Sequence, residues 1–330
     1  MLWDIFILIA GLAVIMGGAN MLTDGASALA RRWGVSDLVV GLTIVAFGTS
    51  TPELAISVTS AIQGNPGIAV GNVVGSNIFN ILVIVGAIAL VRPVKITKTI
   101  MVNEIPMVVL SSVAILAIGL APYLGVHGEA SVSRVDGILL LLFFLIFMHY
   151  ILQQAHHPVP GTDSSQEGAS GAKKEMGVLK GVIWVLVGLA ALVAGGDMFV
   201  KGASGIARGL GVSDAIIGLT IVAMGTSLPD LAASVSAARK GNNGIAVGNV
   251  IGSCVFNAFM VLGAAAAVRP LPFDGIGMVD LLTLVGASVL FWIFGWFFKK
   301  RTITRWEGTV MILCYVAYIT YLVLAELGKI

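Results

Sequence analysis

Charged residues are scarce in this chain. Asp, Glu, Lys and Arg make up 11% of its 330 residues, whereas they make up about a quarter of an ordinary soluble domain. Histidine and cysteine are rarer still, with four and two copies. The sequence also has no HExxH, Walker A or dinucleotide-binding glycine motif. We therefore expect neither an enzyme nor an ATP-driven pump, and we predict no bound cofactor and no nucleic-acid partner.

The two cysteines show no pattern of a disulfide or a metal site. Cys254 and Cys314 both fall inside long apolar segments, so we expect both to be small buried residues. His156 and His157 are adjacent in a polar stretch, and for them a solvated pair is a better interpretation than a metal site.

Apolar residues fill most of the chain. Hydrophobic residues make up 58% of it, and the mean hydropathy is +1.00. Ten apolar segments are about 20 residues long, which is the length that a helix needs to cross a bilayer. The sequence thus predicts an all-α membrane protein with ten transmembrane helices, at 1–22, 37–62, 67–91, 100–121, 135–152, 178–200, 214–238, 244–268, 277–298 and 308–326.

The basic residues are distributed unevenly between the two sides of these spans. When the connections are assigned alternately, about 14 of the 19 Lys and Arg residues fall on one side. The positive-inside rule makes that side cytoplasmic and places both termini outside. The N-terminus lacks a basic segment ahead of its first span, so we expect no cleaved signal peptide.

A repeat at an offset of 177 residues is the strongest internal signal. Residues 36–93 and 213–270 are identical at about 36 of 58 aligned positions. Each unit holds five predicted spans, and an odd number makes the second copy enter the membrane from the opposite side. We therefore predict two inverted five-helix repeats, at 1–152 and 179–330, joined by a polar cytoplasmic linker at 153–178.

Each unit has one acidic residue in the middle of an apolar span. The motif GTSTPE ends at Glu53, and GTSLPD ends at Asp230. A carboxylate at that depth is unfavourable in lipid, so it should face the protein interior or a water-filled cavity. Pro52 and Pro229 cannot donate a helical hydrogen bond, so we expect a broken helix before each acid.

The same motifs offer oxygen atoms that could surround a cation. A helix break would free main-chain carbonyls near the acid, and the next span places Ser and Asn four residues apart on one face. Carboxylate, hydroxyl, amide and carbonyl oxygens suit Ca²⁺, Mg²⁺ or alkali cations rather than zinc or copper. The candidate ligands are Ala46, Thr49, Ser50, Glu53, Ser76 and Asn80 in the first unit, and Ala223, Thr226, Ser227, Asp230, Ser253 and Asn257 in the second.

A purely structural interpretation also exists for these motifs. A Pro-kinked helix could carry an acid that neighbouring hydroxyls satisfy, and Ser and Thr often join helices in membranes. Two copies that keep Thr, Ser, Pro and an acid in register favour a binding site instead. Asn72 and Asn249, in the GNV motifs, either cap or join helices or lie on an ion path.

These motifs resemble the two internal repeats of the cation/calcium exchanger superfamily, and specifically its prokaryotic sodium/calcium antiporters. The resemblance rests on GTSTPEL, GNVVGSNIFN, GTSLPDL and GNVIGSCVFN and covers both units. It implies a secondary antiporter of the prokaryotic inner membrane that exports Ca²⁺ in exchange for Na⁺ by alternating access. It also implies an exchange of three Na⁺ for one Ca²⁺, broken helices 2, 3, 7 and 8, and function as a monomer.

The resemblance implies roles for the candidate ligands. Ca²⁺ would be held mainly by Glu53 and Asp230, with the carbonyls of Thr49 and Thr226. The Na⁺ sites would draw on the others, which are Ser50, Ser227, Ser76, Ser253, Ala46, Ala223, Asn80 and Asn257.

Two positions depart from the family pattern. Many prokaryotic relatives carry Glu at the position of Asp230, and some prokaryotic members and the potassium-dependent ones carry Asp at the position of Asn257. With Asn at both 80 and 257, the chain resembles the potassium-independent type. A Ca²⁺/H⁺ antiporter, a potassium-dependent exchanger and an ion channel stay open as alternatives. A hydrolase is disfavoured because no histidine shares a span with either acidic motif.

Overall fold

A computed structural model of the protein describes residues 2–64, 66–125, 130–156, 176–210, 223–297 and 301–326. Helices dominate the described chain. They are α1 (Leu2–Trp33), α2 (Asp37–Thr49), α3 (Thr51–Gln63), α4 (Gly67–Val91), α5 (Ile100–Gly119), α6 (Arg134–His156), α7 (Val178–Gly209), α8 (Ala223–Gly225), α9 (Leu228–Arg239), α10 (Asn243–Val268), α11 (Met278–Phe297) and α12 (Arg305–Glu326).

The described helices supply nine candidate membrane spans. Eight are single helices of sufficient length and hydropathy, and α2 with α3 forms a ninth that is bent by 44°. The predicted span at 214–238 includes residues outside the described ones, and its described part is α8 and α9. Residues 157–175 of the predicted linker also lie outside the described residues. The prediction of a helical membrane protein is confirmed.

Two helices are longer than the apolar segments that predict them. α1 and α7 each have 32 residues, which corresponds to about 48 Å of helix against about 30 Å of hydrocarbon. An apolar window measures the hydrophobic part of a helix and not its full length. The prediction of spans ending near residues 22 and 200 therefore placed both helix ends too early.

α1 and α7 pack against each other through their backbones. A Cβ atom added at Gly18 would lie 2.8 Å from the carbonyl oxygen of Gly188, and one added at Gly188 would lie 2.6 Å from the nitrogen of Leu22. Only glycine permits such an approach. The glycines at this contact recur every seven residues, at Gly11, Gly18 and Gly25 of α1 and at Gly181, Gly188, Gly195 and Gly202 of α7.

α4 and α10 form the centre of the molecule. In their most apolar 18-residue windows 78% and 83% of the residues are buried, compared with 11% in α12. Both helices continue without a sharp bend through a π-helical turn, at Asn80–Ile84 and at Phe256–Val261. The prediction that helices 3 and 8 are broken is therefore wrong. Neither helix has a proline in its interior, and a π turn takes up one extra residue while the ladder of hydrogen bonds continues.

Two short sheets join the first unit to the second. β1 (Val94–Lys95) pairs antiparallel with β4 (Thr302–Ile303), and β2 (Ser131–Val132) pairs antiparallel with β3 (Leu271–Pro272). Val94 lies opposite Ile303, and Ser131 lies opposite Pro272. Each unit therefore supplies one strand to each sheet, which ties the two units together.

The two cysteines differ in their surroundings. Cys254 is buried in α10 as predicted, but Cys314 is exposed on α12. The prediction for Cys314 is wrong because α12 lies at the periphery, where most side chains of an apolar helix face outward. In a membrane protein, an apolar segment does not by itself indicate burial within protein.

Candidate functional site

The helix breaks predicted before the two acids are both present. Ser50 separates α2 from α3 with φ −88° and ψ 5°, and Ser227 precedes α9 with φ −90° and ψ 1°. A ψ value near zero departs from the helical range and turns the chain. Pro52 and Pro229 follow two residues later, in the first turn of the next helix, where the missing N–H is tolerated. The break brings each acid to the start of a new helix.

The main-chain carbonyl of Ala46 is less free than we expected. It accepts a hydrogen bond from the Ser50 N–H at 3.0 Å, and the Thr49 hydroxyl lies 3.3 Å away. The prediction that the break releases this carbonyl is wrong, because the last helical bond of α2 extends to Ser50. A carbonyl oxygen has two lone pairs and can still accept a second contact. Ala223 begins α8 directly after undescribed residues, so the prediction for its carbonyl is not tested.

Asp230 is buried and held by both units. Its side chain has no exposed surface. Its Oδ1 atom accepts hydrogen bonds from Ser253 Oγ at 2.6 Å and Asn249 Nδ2 at 3.1 Å, both on α10. Thr49 Oγ1, from the first unit, lies 2.6 Å from the same oxygen. The other oxygen, Oδ2, is buried without a hydrogen-bond partner among the described residues.

Glu53 is equally buried but is held less tightly. The hydroxyls of Thr226 and Ser227 approach its carboxylate from the second unit, and the charge of Asp230 acts on it. Within the described part of the chain, neither carboxylate oxygen has a hydrogen bond of ordinary geometry. The structure thus brings together the two acids that the sequence singles out, one from each unit.

Other candidate residues also have buried polar atoms that make no ordinary hydrogen bond. The polar side-chain atoms of five of them are buried and make no hydrogen bond of ordinary geometry among the described residues. Such groups are rare in folded proteins and call for an explanation such as a bound ion. These five residues are Ser50, Ser76, Asn80, Ser227 and Asn257.

The donor set has the chemistry of a site for a mobile hard cation. It consists of two carboxylates and several neutral oxygens, which suits Ca²⁺ and Na⁺. Among the described residues, no group of three or more His, Cys, Asp or Glu side chains could hold a metal. Two carboxylates carry the charge that one divalent ion, or two monovalent ions, would neutralise.

Two asparagines also belong to the site, although the sequence left their role open. Asn72 and Asn249 each donate to the main-chain carbonyl of the acid in their own unit, Glu53 and Asp230, at 3.3 Å. The signal available in the sequence is an amide inside an apolar segment that recurs at the repeat offset. The hydrogen-bond partners of each asparagine lie on other helices, and the sequence does not reveal these contacts.

Comparison with known proteins gives a consistent result. The family described as sodium/calcium exchanger protein matches residues 3–153 and 180–324. The sodium/calcium exchanger MaX1 of Methanosarcina acetivorans is 33% identical over 349 aligned positions, which cover 97% of this chain and 98% of that protein. The inner membrane protein YrbG of Escherichia coli is 35% identical, with 88% of each chain covered.

A solved structure of the sodium-calcium exchanger NCX_Mj, soaked with Na⁺ and Ca²⁺, is similar along almost its whole length. The TM-score is 0.81 at 29% sequence identity, and the match covers 97% of this chain and 98% of that one. The repeated acidic motifs, the paired buried carboxylates and these matches agree, and the chain belongs to the sodium/calcium exchanger family.

Proposed function

We propose that this protein is a secondary antiporter that moves Ca²⁺ out of the cell in exchange for inward Na⁺. The observation that carries the proposal is the pair of buried carboxylates, one from each unit, with a hydrogen bond from Thr49 to Asp230 across the units. The family and the likeness to exchangers that were soaked with Na⁺ and Ca²⁺ support the choice of ions.

The proposed ligands are the twelve residues that the sequence indicates. Glu53 and Asp230 would neutralise one Ca²⁺, helped by the carbonyls of Thr49 and Thr226. Na⁺ would use the same acids together with the hydroxyls, amides and carbonyls of the remaining candidates, Ser50, Ser76, Ser227, Ser253, Asn80, Asn257, Ala46 and Ala223. Because the carboxylates are shared, the two kinds of ion would compete, and this competition would enforce exchange.

The charge of the site supports an obligatory exchange. Without an ion, two carboxylates would lie buried and uncompensated, which is strongly unfavourable. We therefore expect the empty protein to resist the change between its outward-open and inward-open states. An exchange of three Na⁺ for one Ca²⁺ would move one net charge per cycle.

The proposed architecture is ten spans in two inverted repeats, with both termini outside and the site near the bilayer midplane. The nine described candidate spans and the partly described region between α7 and α10 support the number. α1 and α7 would move along the other helices to alternate access, and the protein would act as a monomer in the inner membrane.

Flux assays with purified protein in liposomes test the proposed function. An outward Na⁺ gradient should drive ⁴⁵Ca²⁺ uptake, and Glu53→Gln and Asp230→Asn should each reduce it to background. Glu104→Gln is a matched control, because Glu104 is equally buried in α5, where it accepts hydrogen bonds from Tyr150 and Gln154. That variant should retain uptake.

Other outcomes would identify the alternatives. Uptake that follows a pH gradient and ignores Na⁺ would mean Ca²⁺/H⁺ exchange. Uptake that stops when K⁺ is removed would mean a potassium-dependent exchanger. Currents that need no counter-ion would mean a channel. Full Na⁺-driven transport in the Glu53→Gln or Asp230→Asn variant would disprove the proposed site.

A further inference from the structure

Asn72 and Asn249 make the same set of contacts in their two units. Asn249 Nδ2 donates to Ser234 Oγ at 3.0 Å and to the carbonyl of Asp230 at 3.3 Å. Asn72 Nδ2 donates to Ser57 Oγ at 3.0 Å and to the carbonyl of Glu53 at 3.3 Å. Each amide therefore holds the first two turns of the helix that carries the acid.

The oxygen of each amide reaches the opposite unit. Thr49 Oγ1 lies 3.1 Å from Asn249 Oδ1, and Thr226 Oγ1 lies 3.4 Å from Asn72 Oδ1. A carboxamide offers two N–H donors and one acceptor. One side chain can therefore hold the acid-bearing helix of its own unit and face the threonine of the other unit at the same time.

We propose that Asn72 and Asn249 are positioning residues that set the distance and direction between the two carboxylates. This inference rests on the proposed function, in which one cation is shared by both acids. The asparagines act through Glu53 and Asp230. Without these two amides, Glu53 and Asp230 would remain in the site, but their carboxylates would lose the relative orientation that a compact cation requires.

The two asparagines are not equivalent. Asn249 Nδ2 also lies 3.1 Å from Asp230 Oδ1, so its two N–H groups are shared among three acceptors, one of which is the carboxylate itself. Asn72 holds only the main chain and the Ser57 hydroxyl beside Glu53. Hydrogen bonds to charged groups are stronger than those between neutral ones. The loss of Asn249 should therefore have the larger effect.

The test compares Asn249→Ala, Asn72→Ala and a control, Asn77→Ala, in liposomes. Asn77 is a buried amide of the same α4 helix, and it donates to the carbonyl of Cys254 rather than to an acid-bearing helix. The Ca²⁺ concentration for half-maximal uptake should rise at least about ten-fold for Asn249→Ala and about three-fold for Asn72→Ala. It should change less than about two-fold for Asn77→Ala, and maximal rates should stay within about three-fold of wild type.

Equal shifts in all three variants would overturn the inference, as would lower maximal rates with an unchanged half-saturating concentration. Asn249→Ser provides a second variant that keeps a polar group in the buried space, and the same rise is expected. If the wild type shows no Na⁺-driven uptake, the proposed function fails. The shift in thermal unfolding midpoint that Ca²⁺ induces in the purified variants then still tests the positioning role.

A separate set of contacts ties α1 to the end of α9. Lys240 Nζ lies 3.0 Å from Asp24 Oδ1 and donates to the carbonyl of Asn20 at 2.9 Å. Ser236 Oγ donates to Asn20 Oδ1 at 2.9 Å. Asn242 Nδ2 donates to Ser27 Oγ at 2.6 Å. We call these contacts the α1–α9 latch.

The equivalent positions of the other unit make no such latch in the described residues. At the repeat offset, Asp197 and Lys201 take the places of Asn20 and Asp24, and they pair with each other at 2.6 Å on the surface of α7. Ser204, which corresponds to Ser27, has a buried hydroxyl without a hydrogen-bond partner among the described residues. Gln63 stands where the second unit has Lys240.

From this difference we infer that the latch favours closure on the side where α9 ends, which is cytoplasmic in the proposed topology. The same closure at the other side would lack an ion pair between helices, because Gln63 carries no charge. A partly exposed ion pair contributes modestly, so the expected bias is small. A protein biased toward one state binds ligand more weakly from the side that is closed in that state.

Lys240→Gln, which copies the residue of the other unit, tests this inference. Half-saturating Ca²⁺ should fall about two- to five-fold on the cytoplasmic face and rise on the opposite face, measured in vesicles of both orientations. Lys201→Gln is the control, because its pair lies within one helix, and it should shift neither value. Changes of the same sign on both faces, or no change, would overturn the inference.

Discussion

Glu53 and Asp230 occupy equivalent positions in the two units, but their surroundings differ. Asp230 Oδ1 accepts from Ser253 and Asn249 and lies 2.6 Å from Thr49 Oγ1. Glu53 has no hydrogen bond of ordinary geometry within the described residues. In the proposed site, the second unit would therefore supply a carboxylate held in place, and the first would supply one that can adjust to the ion.

The lengths of the two acids agree with this division. Aspartate has fewer rotatable bonds than glutamate, so less conformational freedom is lost when it is held in one position. The longer glutamate keeps the reach that an adjustable ligand needs. Substitutions that exchange these properties between the units should show whether the difference matters.

Among the following substitutions, Glu53→Asp should reduce transport activity the most. Its carboxylate would withdraw by about one methylene, and a misplacement of about 1 Å can reduce the activity of a precise site about 100-fold. The double variant Glu53→Asp/Asp230→Glu restores the summed length and should recover at least about ten-fold of that loss in transport activity. If the double variant is no better than Glu53→Asp, the acids do not share one ion.

Ser253→Ala should lower the affinity for Ca²⁺ by a smaller but still measurable amount. It removes a 2.6 Å hydrogen bond to Asp230, and loss of a bond to a charged group corresponds to about ten-fold or more in affinity. The equivalent change, Ser76→Ala, removes a hydroxyl without a hydrogen-bond partner in the described structure. We expect it to raise half-saturating Ca²⁺ less. A reversed order would contradict the assignment of Asp230 as the held acid.

Ser57→Ala and Ser234→Ala should have equal effects on stability. Both hydroxyls accept from their asparagine at 3.0 Å, and loss of such a neutral bond reduces the free energy of unfolding by about 1 kcal/mol. Thermal unfolding of the purified variants measures this. A clear difference would show that the two asparagines hold their acid-bearing helices unequally.

Cys314→Ser should have the smallest effect. Cys314 is exposed on the peripheral helix α12, far in the chain from both acidic motifs. Transport and stability should equal those of the wild type within the error of the assays. A loss of transport would mean that this face of α12 has a role that its position in the fold does not suggest.

Much of the site could be predicted because the repeat is evident in the sequence. Two acids in apolar spans, each after a proline, predict buried carboxylates and helix breaks, and Ser50 and Ser227 adopt nearly the same backbone angles. The sequence could not show which oxygens hold Asp230. Those contacts join residues up to 181 positions apart, and they depend on packing between the units.

Other features were missed because hydropathy reports solvation and not geometry. Hydropathy cannot distinguish a π turn from a helix break at Asn80. It also cannot show that Cys314 lies on the outward face of α12 rather than on a buried face. It also does not mark the end of α1, which continues to Trp33 after the apolar segment stops.

The seven-residue spacing of glycines between α1 and α7 has a mechanical consequence. Two helices whose backbones touch over most of their length should move as one rigid unit rather than independently. The two helices run in opposite directions, and α1 bears the latch at one end. A movement that releases α1 from the latch must therefore also move the opposite end of the α1–α7 pair. Access to the site from either side of the membrane would then depend on the movement of this one helix pair, and the two sides could not be open together.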